Sequence, residues 1–337
     1  MTRVTLVVGA GGVGKTTIAA GIAALAARRG ARTLAITVDP ARRLADALGT
    51  TLDNHPSPVP GHDRLDAAML DAAAAWEQIA RTHADPATAR RLLANPYFRA
   101  VADRFPSGQA YAAGEQVLTH VDAAGYDRIV VDTPPAAGGT AFLHAPRRIR
   151  TLVAGRALRV LTGPRLPGRR LIYSVTARPA LMVADSVLGG RLLEDVAEFL
   201  LDLSAIYPGI SRRSRRVEAM LQHADVVVVT TPDPGPIAEA RRVTTERLVP
   251  RGVPPEIVFN RMLPAGWAGT FPTPAADPIA QNLARWGLEA SHHQAVLNAF
   301  AAHTGLNPRS VPWLAAAPDN PAALADLIAA AGIDPVS

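Results

Sequence analysis

The residues best suited to chemistry form a short run near the start of the chain, in which glycines surround a lysine. The run from Gly9 to Thr17 matches the pattern G-x-x-x-x-G-K-[ST], which is typical of a phosphate-binding loop. Glycines let successive backbone N–H groups turn inward around an anionic phosphate. Lys15 is expected to reach the β- and γ-phosphates, and the Thr16 hydroxyl to bind Mg²⁺. The predicted phosphate-binding residues are Gly9, Gly11, Gly12, Val13, Gly14, Lys15, Thr16 and Thr17.

The lysine of this loop is unusual in the composition of the chain. Lys15 is the only lysine in the sequence, and every other residue of the Lys and Arg total of 35 is arginine. With so strong a bias toward arginine, a lysine is expected only where the compact ammonium group is needed. We therefore infer that Lys15 has a chemical role that arginine cannot fill.

Two aspartates follow apolar segments that are predicted to be buried strands. Asp39 comes after the segment 33–38, and Asp132 comes after the segment 126–131. The carboxyl ends of parallel strands meet at the ligand-binding edge of a sheet, so both side chains are expected there. Asp39 either caps the segment after it or orients an attacking water, and Asp132 is expected to hold Mg²⁺ through water. We predict Lys15 and Asp39 as catalytic residues and Thr16, Asp39 and Asp132 as metal-binding residues.

Asn260 lies at the end of a later predicted strand, at 256–261. An asparagine in this position either reads the edge of an adenine with its amide or simply forms a turn. Arg261 at the end of the same strand and Pro318 in the loop after the last predicted strand are also predicted nucleotide contacts.

The alternation of strands and helices predicts an α/β fold of the P-loop type. We expect a mainly parallel sheet with helices covering both faces. A single domain is predicted over residues 1–337, with a helical insert at residues 140–222 that has few strand-like segments.

The predicted insert contains a strongly basic stretch. Residues 147–178 include nine arginines and no acidic residue, with apolar residues between them. This stretch either covers the sheet with a solvated arginine face or docks a partner or an anionic membrane surface. The net charge of +6 is compatible with either reading, but no compact basic block with interleaved aromatic residues appears. Nucleic acid is therefore not an expected partner.

The composition excludes several other classes of site. The chain has no cysteine, so a disulfide framework, a thiolate zinc site and thiol chemistry are excluded. No run of about 18 apolar residues predicts a membrane span. The first residues lead directly into a predicted strand and leave no room for a signal peptide, so a cytoplasmic protein is expected.

Three segments together resemble the ArsA-like family of P-loop ATPases, which includes the arsenite-efflux ATPase and the ATPase that targets tail-anchored proteins. They are the loop at 9–17, the Asp-Pro-Ala sequence at 39–41 and the Asp-Thr-Pro-Pro sequence at 132–135. The resemblance implies slow hydrolysis of ATP with Mg²⁺, held between the facing subunits of a homodimer or heterodimer. It also implies that Asp39 orients water, that Asn260 contacts adenine, and that the helical insert binds a protein client.

The chain departs from the family pattern at several positions. The family loop usually begins Gly-Lys, and that first lysine reaches the phosphates of the other subunit, whereas this chain has Ala10. Arg42 and Arg43 stand where the family commonly has His followed by Ser or Asn. From the resemblance, the chain is predicted to be an ATP-hydrolysing dimeric switch. Alternatively, it is a nucleotide-binding regulatory subunit, weakly active alone, that a P-loop paralogue carrying the missing lysine completes.

Overall fold

A computed structural model describes residues 2–39, 41–98, 106–133, 138–154, 190–251, 254–269 and 278–334. The chain divides into two compact units. The first contains residues 1–71, 116–143 and 219–337, and the second contains residues 72–115 and 144–218. Most of the predicted insert at 140–222 thus belongs to the second unit, together with an earlier segment of the chain. The predicted boundaries of a single domain and an insert remain predictions.

The first unit is built on an eight-stranded sheet. Its strands are β1 (Arg3–Val8), β2 (Thr33–Thr37), β3 (Ser57–Pro58), β4 (Leu65–Met69), β5 (Arg128–Asp132), β6 (Asp225–Thr230), β7 (Glu256–Met262) and β8 (Arg309–Pro312). Their order in the sheet is β3-β4-β2-β5-β1-β6-β7-β8. Among these described strands only the short edge pair β3–β4 is antiparallel, and the central strands are short apolar runs that are buried on both faces. The predicted α/β fold with a mainly parallel sheet is confirmed.

Helices connect the strands. They are α1 (Lys15–Arg28), α2 (Arg43–Leu48), α3 (Ala72–His83), α4 (Pro86–Ala94), α5 (Pro106–Asp122), α6 (Gly138–Ala154), α7 (Gly190–His223), α8 (Pro234–Arg251), α9 (Pro278–Thr304) and α10 (Pro321–Ala330). The alanine-rich α1 packs its buried face on the sheet, and its aliphatic residues join the main apolar core. Because β1 lies between β5 and β6, the loop that leads into α1 emerges at the centre of the sheet edge.

The second unit is helical and contains α3, α4 and parts of α5, α6 and α7. Trp76 packs against Phe98 and Tyr111, with ring centroids 6.2 and 5.9 Å apart. Buried acidic groups in this unit are paired with arginine. Glu115 accepts hydrogen bonds from Tyr111 and Arg213, and Glu218 binds both Arg147 and Arg150.

Two helices are longer than the sequence predicts. The sequence pattern favours separate helices near 279–286 and 294–303, but α9 is continuous from Pro278 to Thr304. Gly287 and Ala290 are buried, and the Ser291 hydroxyl donates to the Gly287 carbonyl, so the small residues serve packing and do not end the helix. Likewise α7 continues through the basic sequence 211–216, which the pattern separates from the helix before it. Within the ranges described, no helix combines the length and the apolar character that crossing a membrane requires.

Candidate functional site

A cavity of about 510 Å³ opens at the carboxyl edge of the sheet in the first unit. Its wall is formed by residues at or after the carboxyl ends of β1, β2, β5, β7 and β8, as expected for the ligand site of a parallel sheet. The lining residues are Gly12, Gly14, Lys15, Thr16, Thr17, Asp39, Arg43, Asp46, Ala47, Asp132, Thr133, Arg261, Ala317, Pro318 and Asp319. The volume lies within the range of about 300–1,000 Å³ that is usual for small-molecule sites.

The loop at 9–17 is held in its conformation by two close approaches of backbone to neighbouring elements. Gly9 has φ of +150°, and a Cβ there would lie 2.1 Å from the Val229 carbonyl oxygen on β6. Gly14 has φ of +91°, and a Cβ there would lie 2.2 Å from Nδ2 of Asn260. Only glycine fits either position, so the predicted glycines shape the loop as well as leaving room for a ligand.

Asn260 contacts this loop directly. Its Nδ2 donates to the Val13 carbonyl at 2.8 Å, and its Oδ1 accepts from the Arg261 N–H at 2.9 Å. The side chain is therefore bound to the loop backbone and is not among the residues that line the cavity, whereas Arg261 and Pro318 are. The adenine contact of Asn260 remains a prediction, and the structure gives this residue a clear role in fixing the loop.

Lys15 is 6% exposed and lies at the base of the cavity. Its Nζ donates to the Ala10 carbonyl at 2.7 Å, so the Lys15 ammonium is bonded to the backbone of the same loop. Burial lowers the pKa of Lys15 from its usual value, while the nearby carboxylates of Asp132, Glu239 and Asp39 act to raise it. The ammonium is thus removed from bulk water and surrounded by acids, which suits the binding of a polyanion.

Asp132 lies beside the loop and is 1% exposed. Its Oδ2 accepts hydrogen bonds from the Thr16 hydroxyl at 2.7 Å and from the Thr37 hydroxyl at 3.2 Å. Burial raises the pKa of Asp132 to about 6, although the Thr16 hydrogen bond opposes the shift. Its other oxygen, Oδ1, is buried without a hydrogen-bond partner among the residues that the structure describes. A buried carboxylate oxygen is costly to leave unpaired, so this atom indicates a ligand or a bound water.

The donor set around Asp132 fits Mg²⁺. The hydroxyl of Thr16 and the carboxylate of Asp132 are oxygen donors at one wall of the cavity, 2.7 Å from each other. Mg²⁺ is commonly held by one or two protein oxygens together with nucleotide phosphates and several waters. The described residues contain no cluster of three or more acidic or histidine side chains that would form a dedicated metal cage. The site therefore suits a magnesium ion that arrives with a nucleotide.

Asp39 follows β2 and lines the cavity. Its Oδ1 accepts from the Ala41 N–H at 3.0 Å, and its backbone N–H donates to the Thr37 hydroxyl at 3.2 Å. These bonds form a local turn and not the predicted helix cap, because α2 begins at Arg43 with Arg42 as its N-cap residue and without a side-chain capping bond. Asp39 also lines the cavity and contributes to the field at Lys15, so the turn aims its carboxylate toward the site.

The structure brings most of the predicted site residues together, and their functional roles stay predictions. Lys15, Thr16, Asp39 and Asp132 share one wall, while Gly11 is exposed and Gly9 and Val13 support the loop. The residues 134–137 after Asp132, and most of the basic stretch at 147–178, lie outside the described residues.

Sequence reasoning missed several residues of the cavity. Arg43, Asp46 and Asp319 line it, and a buried oxygen of Glu239 has no hydrogen-bond partner within the described part of the chain. The helical pattern places Glu239 on the outward face of its helix, but Glu239 contributes to the field at Lys15. The sequence offered a signal for Arg43 and Asp46 only. These two residues are spaced from Asp39 by about one and two turns of a helix, so they are expected near the same site.

Comparison with known proteins agrees with this geometry. The family model described as anion-transporting ATPase matches residues 2–268. An uncharacterized protein of Streptomyces coelicolor is 33% identical over 322 residues, covering 93% of this chain and 75% of that protein. A putative arsenical pump-driving ATPase of Halobacterium salinarum is 32% identical over 154 residues, which are 43% of this chain and 24% of that protein. The Schizosaccharomyces pombe protein named ATPase get3 is 29% identical over 138 residues, which are 41% of each chain.

Proposed function

Because the chain belongs to the anion-transporting ATPase family, we propose that it binds Mg-ATP in the cavity and hydrolyses it. In this proposal the protein is a cytoplasmic, dimeric switch whose nucleotide state controls the binding of a protein client. The observation that carries the proposal is the group formed by Lys15, Thr16 and Asp132. It combines a buried ammonium, a hydroxyl and a carboxylate with one oxygen that no described residue pairs.

The loop and Lys15 have the role of binding phosphate. The backbone N–H groups around Gly12 and Gly14 and the N-terminal end of α1 would bind the phosphate oxygens, and Lys15 would neutralise the β- and γ-phosphates. Asn260 keeps the loop in shape through its hydrogen bond to Val13. These groups are fixed before the nucleotide arrives, so little reorganisation accompanies binding.

Thr16 and Asp132 would hold Mg²⁺, with Asp132 acting through water. When bound, the ion neutralises charge on the β- and γ-phosphate oxygens. Asp39 would accept a hydrogen bond from a water placed for attack on the γ-phosphorus. As the water oxygen forms the new P–O bond and releases a proton to solvent, the bond from the γ-phosphorus to the bridging oxygen breaks, and ADP and inorganic phosphate leave.

Loss of the ammonium and loss of the water-orienting carboxylate should have different effects. We expect Lys15→Ala to abolish detectable ATP binding and hydrolysis. Asp39→Asn keeps the size of the side chain and should lower the turnover rate by about 100-fold or more while nucleotide affinity changes little. Both can be measured by phosphate release and calorimetry. Wild-type protein that shows no Mg²⁺-dependent turnover, alone or with candidate partners, would exclude the hydrolase function.

Ala10 supports a second candidate function. The side chain at position 10 is only a methyl group, and the Ala10 backbone carbonyl accepts from Lys15. A homodimer therefore has no loop lysine at this position on either side. The second candidate is a nucleotide-binding regulatory subunit whose activity depends on a P-loop paralogue that carries such a lysine. Mixing the two proteins should then raise turnover by an order of magnitude or more. Equal activity of the isolated chain and of the mixture would contradict this candidate.

A further inference from the structure

The cavity contains a cation outside the phosphate-binding loop. Arg43, the first residue of α2, lines the cavity together with Lys15 and Asp39. Its positive charge also acts on the Lys15 ammonium and lowers the pKa of that group. Asp39, Asp46, Asp132 and Asp319 also line the cavity, so its charges suit a phosphate group accompanied by a divalent cation, with Lys15 and Arg43 as groups that attract the phosphate.

The contacts of Arg43 leave its guanidinium available for such a ligand. Its Nη1 lies 3.8 Å from Oδ2 of Asp39, and the Arg43 side chain is 58% exposed. An ion pair at this distance and exposure contributes little stability, so it holds the side chain near Asp39 without committing its donors. Arginine presents a planar fork of donors that matches phosphate oxygens.

We propose that Arg43 binds the γ-phosphate of the bound nucleotide from within the same chain. The inference rests on the proposed function. Asp39 and Arg43 then form one unit at the β2 side of the cavity, in which the carboxylate orients the attacking water and the guanidinium binds the phosphate under attack. With Ala10 in the loop, Arg43 would supply the γ-phosphate with a cation besides Lys15 that does not depend on another subunit.

The neighbouring Arg42 provides a matched control, because it is exposed, has the same charge and does not line the cavity. We expect Arg43→Ala to weaken Mg-ATP binding about 10- to 100-fold, because it removes charge-assisted hydrogen bonds, and to leave Mg-ADP binding within about twofold. Turnover should fall by at least about 100-fold. Arg43→Lys should restore part of the ATP affinity, and Arg42→Ala should behave as wild type in both assays.

The outcomes separate this inference from the proposed function. If Arg43→Ala retains the ATP affinity and turnover of Arg42→Ala, the role of Arg43 is wrong and the hydrolase function stands. If wild-type protein binds neither nucleotide, both fail. Equal loss of ATP and ADP affinity in Arg43→Ala would also contradict the inference, because it would place Arg43 away from the γ-phosphate.

An independent feature is a cluster of exposed aromatic and aliphatic side chains in the first unit. Trp267, Trp286 and Trp313 are three of the four tryptophans in the chain. Their ring centroids lie 6.4 Å apart for Trp267 and Trp286 and 6.1 Å apart for Trp286 and Trp313. Ile279 and Leu283 lie about two turns and one turn before Trp286 on the same face of α9. We call these five residues the tryptophan patch.

The tryptophan patch is large for an exposed surface. Its members are 38–69% exposed. Large side chains present about 150–250 Å² each, so these fractions correspond to roughly 500 Å² of apolar surface. Two copies meeting through this patch would bury about 1,000 Å², which is the lower bound of a specific protein interface.

The position of the tryptophan patch relates it to the nucleotide cavity. Trp267 lies in the turn after β7 and Trp313 directly after β8, and the Trp313 N–H donates to the Met262 carbonyl at 2.8 Å. Arg261 on β7, and Pro318 in the segment after β8, line the cavity. The same edge of the sheet thus supplies both surfaces. We infer that the tryptophan patch pairs with the same patch of a second copy, in the dimer that the proposed function includes.

Leu288 is a matched control for this second inference. It is 73% exposed on the same helix, but two residues beyond Trp286 and therefore about 200° around the helix axis. Wild-type protein should sediment as a dimer. Trp286→Glu should raise the dimer dissociation constant at least about 30-fold, since a central tryptophan commonly dominates an interface. Leu288→Glu should leave the constant within about threefold.

Circular dichroism verifies that the variants are folded, and Trp286→Ala replaces Trp286→Glu if the charged variant does not fold. A wild-type protein that is monomeric at about 100 µM, with and without Mg-ATP, would overturn the inference, since a switch dimer is expected to form well below that concentration. So would a Trp286 variant that dimerises as well as Leu288→Glu. Nucleotide binding is measured on the same samples, so a failure of the tryptophan patch is distinguishable from a failure of the ATPase function.

Discussion

At the scale of single residues, Asp132 connects stability to function. Its carboxylate is buried, one oxygen has no partner among the described residues, and burial raises its pKa from 3.8 to about 6. A carboxylate with these properties is costly to the protein in the absence of a ligand. The cost is the physical reason to expect a magnesium ion and its waters at this position.

The raised pKa predicts how the stability of the metal-free protein depends on pH. Between pH 3.8 and about 6 the folded state binds the Asp132 proton more tightly than the unfolded state, so this group's contribution to stability falls as the pH rises. Above about pH 6 the contribution stays low. We therefore expect Asp132→Asn to be about 2–3 kcal/mol more stable than wild type at about pH 8 in EDTA, and the gain to vanish near about pH 4. Urea unfolding at both pH values measures this, and a variant less stable than wild type at the higher pH would contradict it.

The same substitution predicts the response to metal removal. In wild type, EDTA should weaken ATP binding by about tenfold or more, because phosphate charge is then neutralised by Lys15 and the loop alone. In Asp132→Asn the affinity should be low and nearly independent of Mg²⁺. Calorimetric titrations with Mg²⁺ and with EDTA test this, and an undiminished Mg²⁺ dependence in the variant would place the ion elsewhere.

Residues with local signals could be predicted from the sequence, and residues placed by tertiary contacts could not. The loop at 9–17 and the aspartates at strand ends carry their signals within a few positions, and the structure brings them to one cavity. Asp319 reaches the same cavity from a loop near the other end of the chain. The position of Glu239 was not predictable, because a helical pattern shows which residues share a face, but not which charged group comes close enough to act on Lys15.

At the scale of elements, the packing of α1 against α10 determines how the phosphate-binding loop is supported. Gly21 lies in α1, and a Cβ there would lie 2.4 Å from Cγ1 of Ile328 and 2.9 Å from the Leu324 carbonyl oxygen. The glycine therefore allows two helices to approach closely, directly after the loop that α1 extends.

This contact predicts the sign of a glycine substitution. Alanine favours a helix by about 1 kcal/mol over glycine, but at position 21 it would meet a backbone atom that cannot rotate away. We expect Gly21→Ala to destabilise the protein by about 1–3 kcal/mol. Gly235, near the start of α8, is the control, because a Cβ added there would have no described atom within 4 Å. Gly235→Ala should be neutral or stabilising in denaturant unfolding, and equal effects at the two positions would refute the close-packing account.

Helix ends were the least predictable elements. The break predicted within α9 depends on Gly287 and the polar residues after it, which favour a helix end in isolation. In the fold, Gly287 and Ala290 are buried and the Leu263 N–H donates to Nδ1 of His293 at 3.1 Å. Tertiary packing therefore outweighs local propensity. The tryptophan patch could not be predicted from the sequence either, because its members come from three separate parts of the chain.

At the scale of the whole molecule, nucleotide binding should stabilise the folded protein through linkage. The cavity is formed by segments that extend from the loop at 9–17 to Asp319, so it exists only when the first unit is folded. At a ligand concentration about 100 times the dissociation constant, the stabilisation is about 2.7 kcal/mol, which corresponds to a few degrees in the midpoint of thermal unfolding. Mg-ATP should raise the midpoint of wild type and leave that of Lys15→Ala unchanged. An equal rise in both proteins would show binding outside this cavity.

The presence of a single lysine allows a direct measurement of the central claim, which is that the Lys15 ammonium and its loop bind the phosphates of Mg-ATP. Protein labelled only with ¹⁵N-lysine contains one labelled amide and one labelled ammonium group. The account predicts that titration with Mg-ATP shifts both NMR signals saturably and that adenosine shifts neither, because it has no phosphate. Signals that stay unchanged at saturating Mg-ATP would contradict the account.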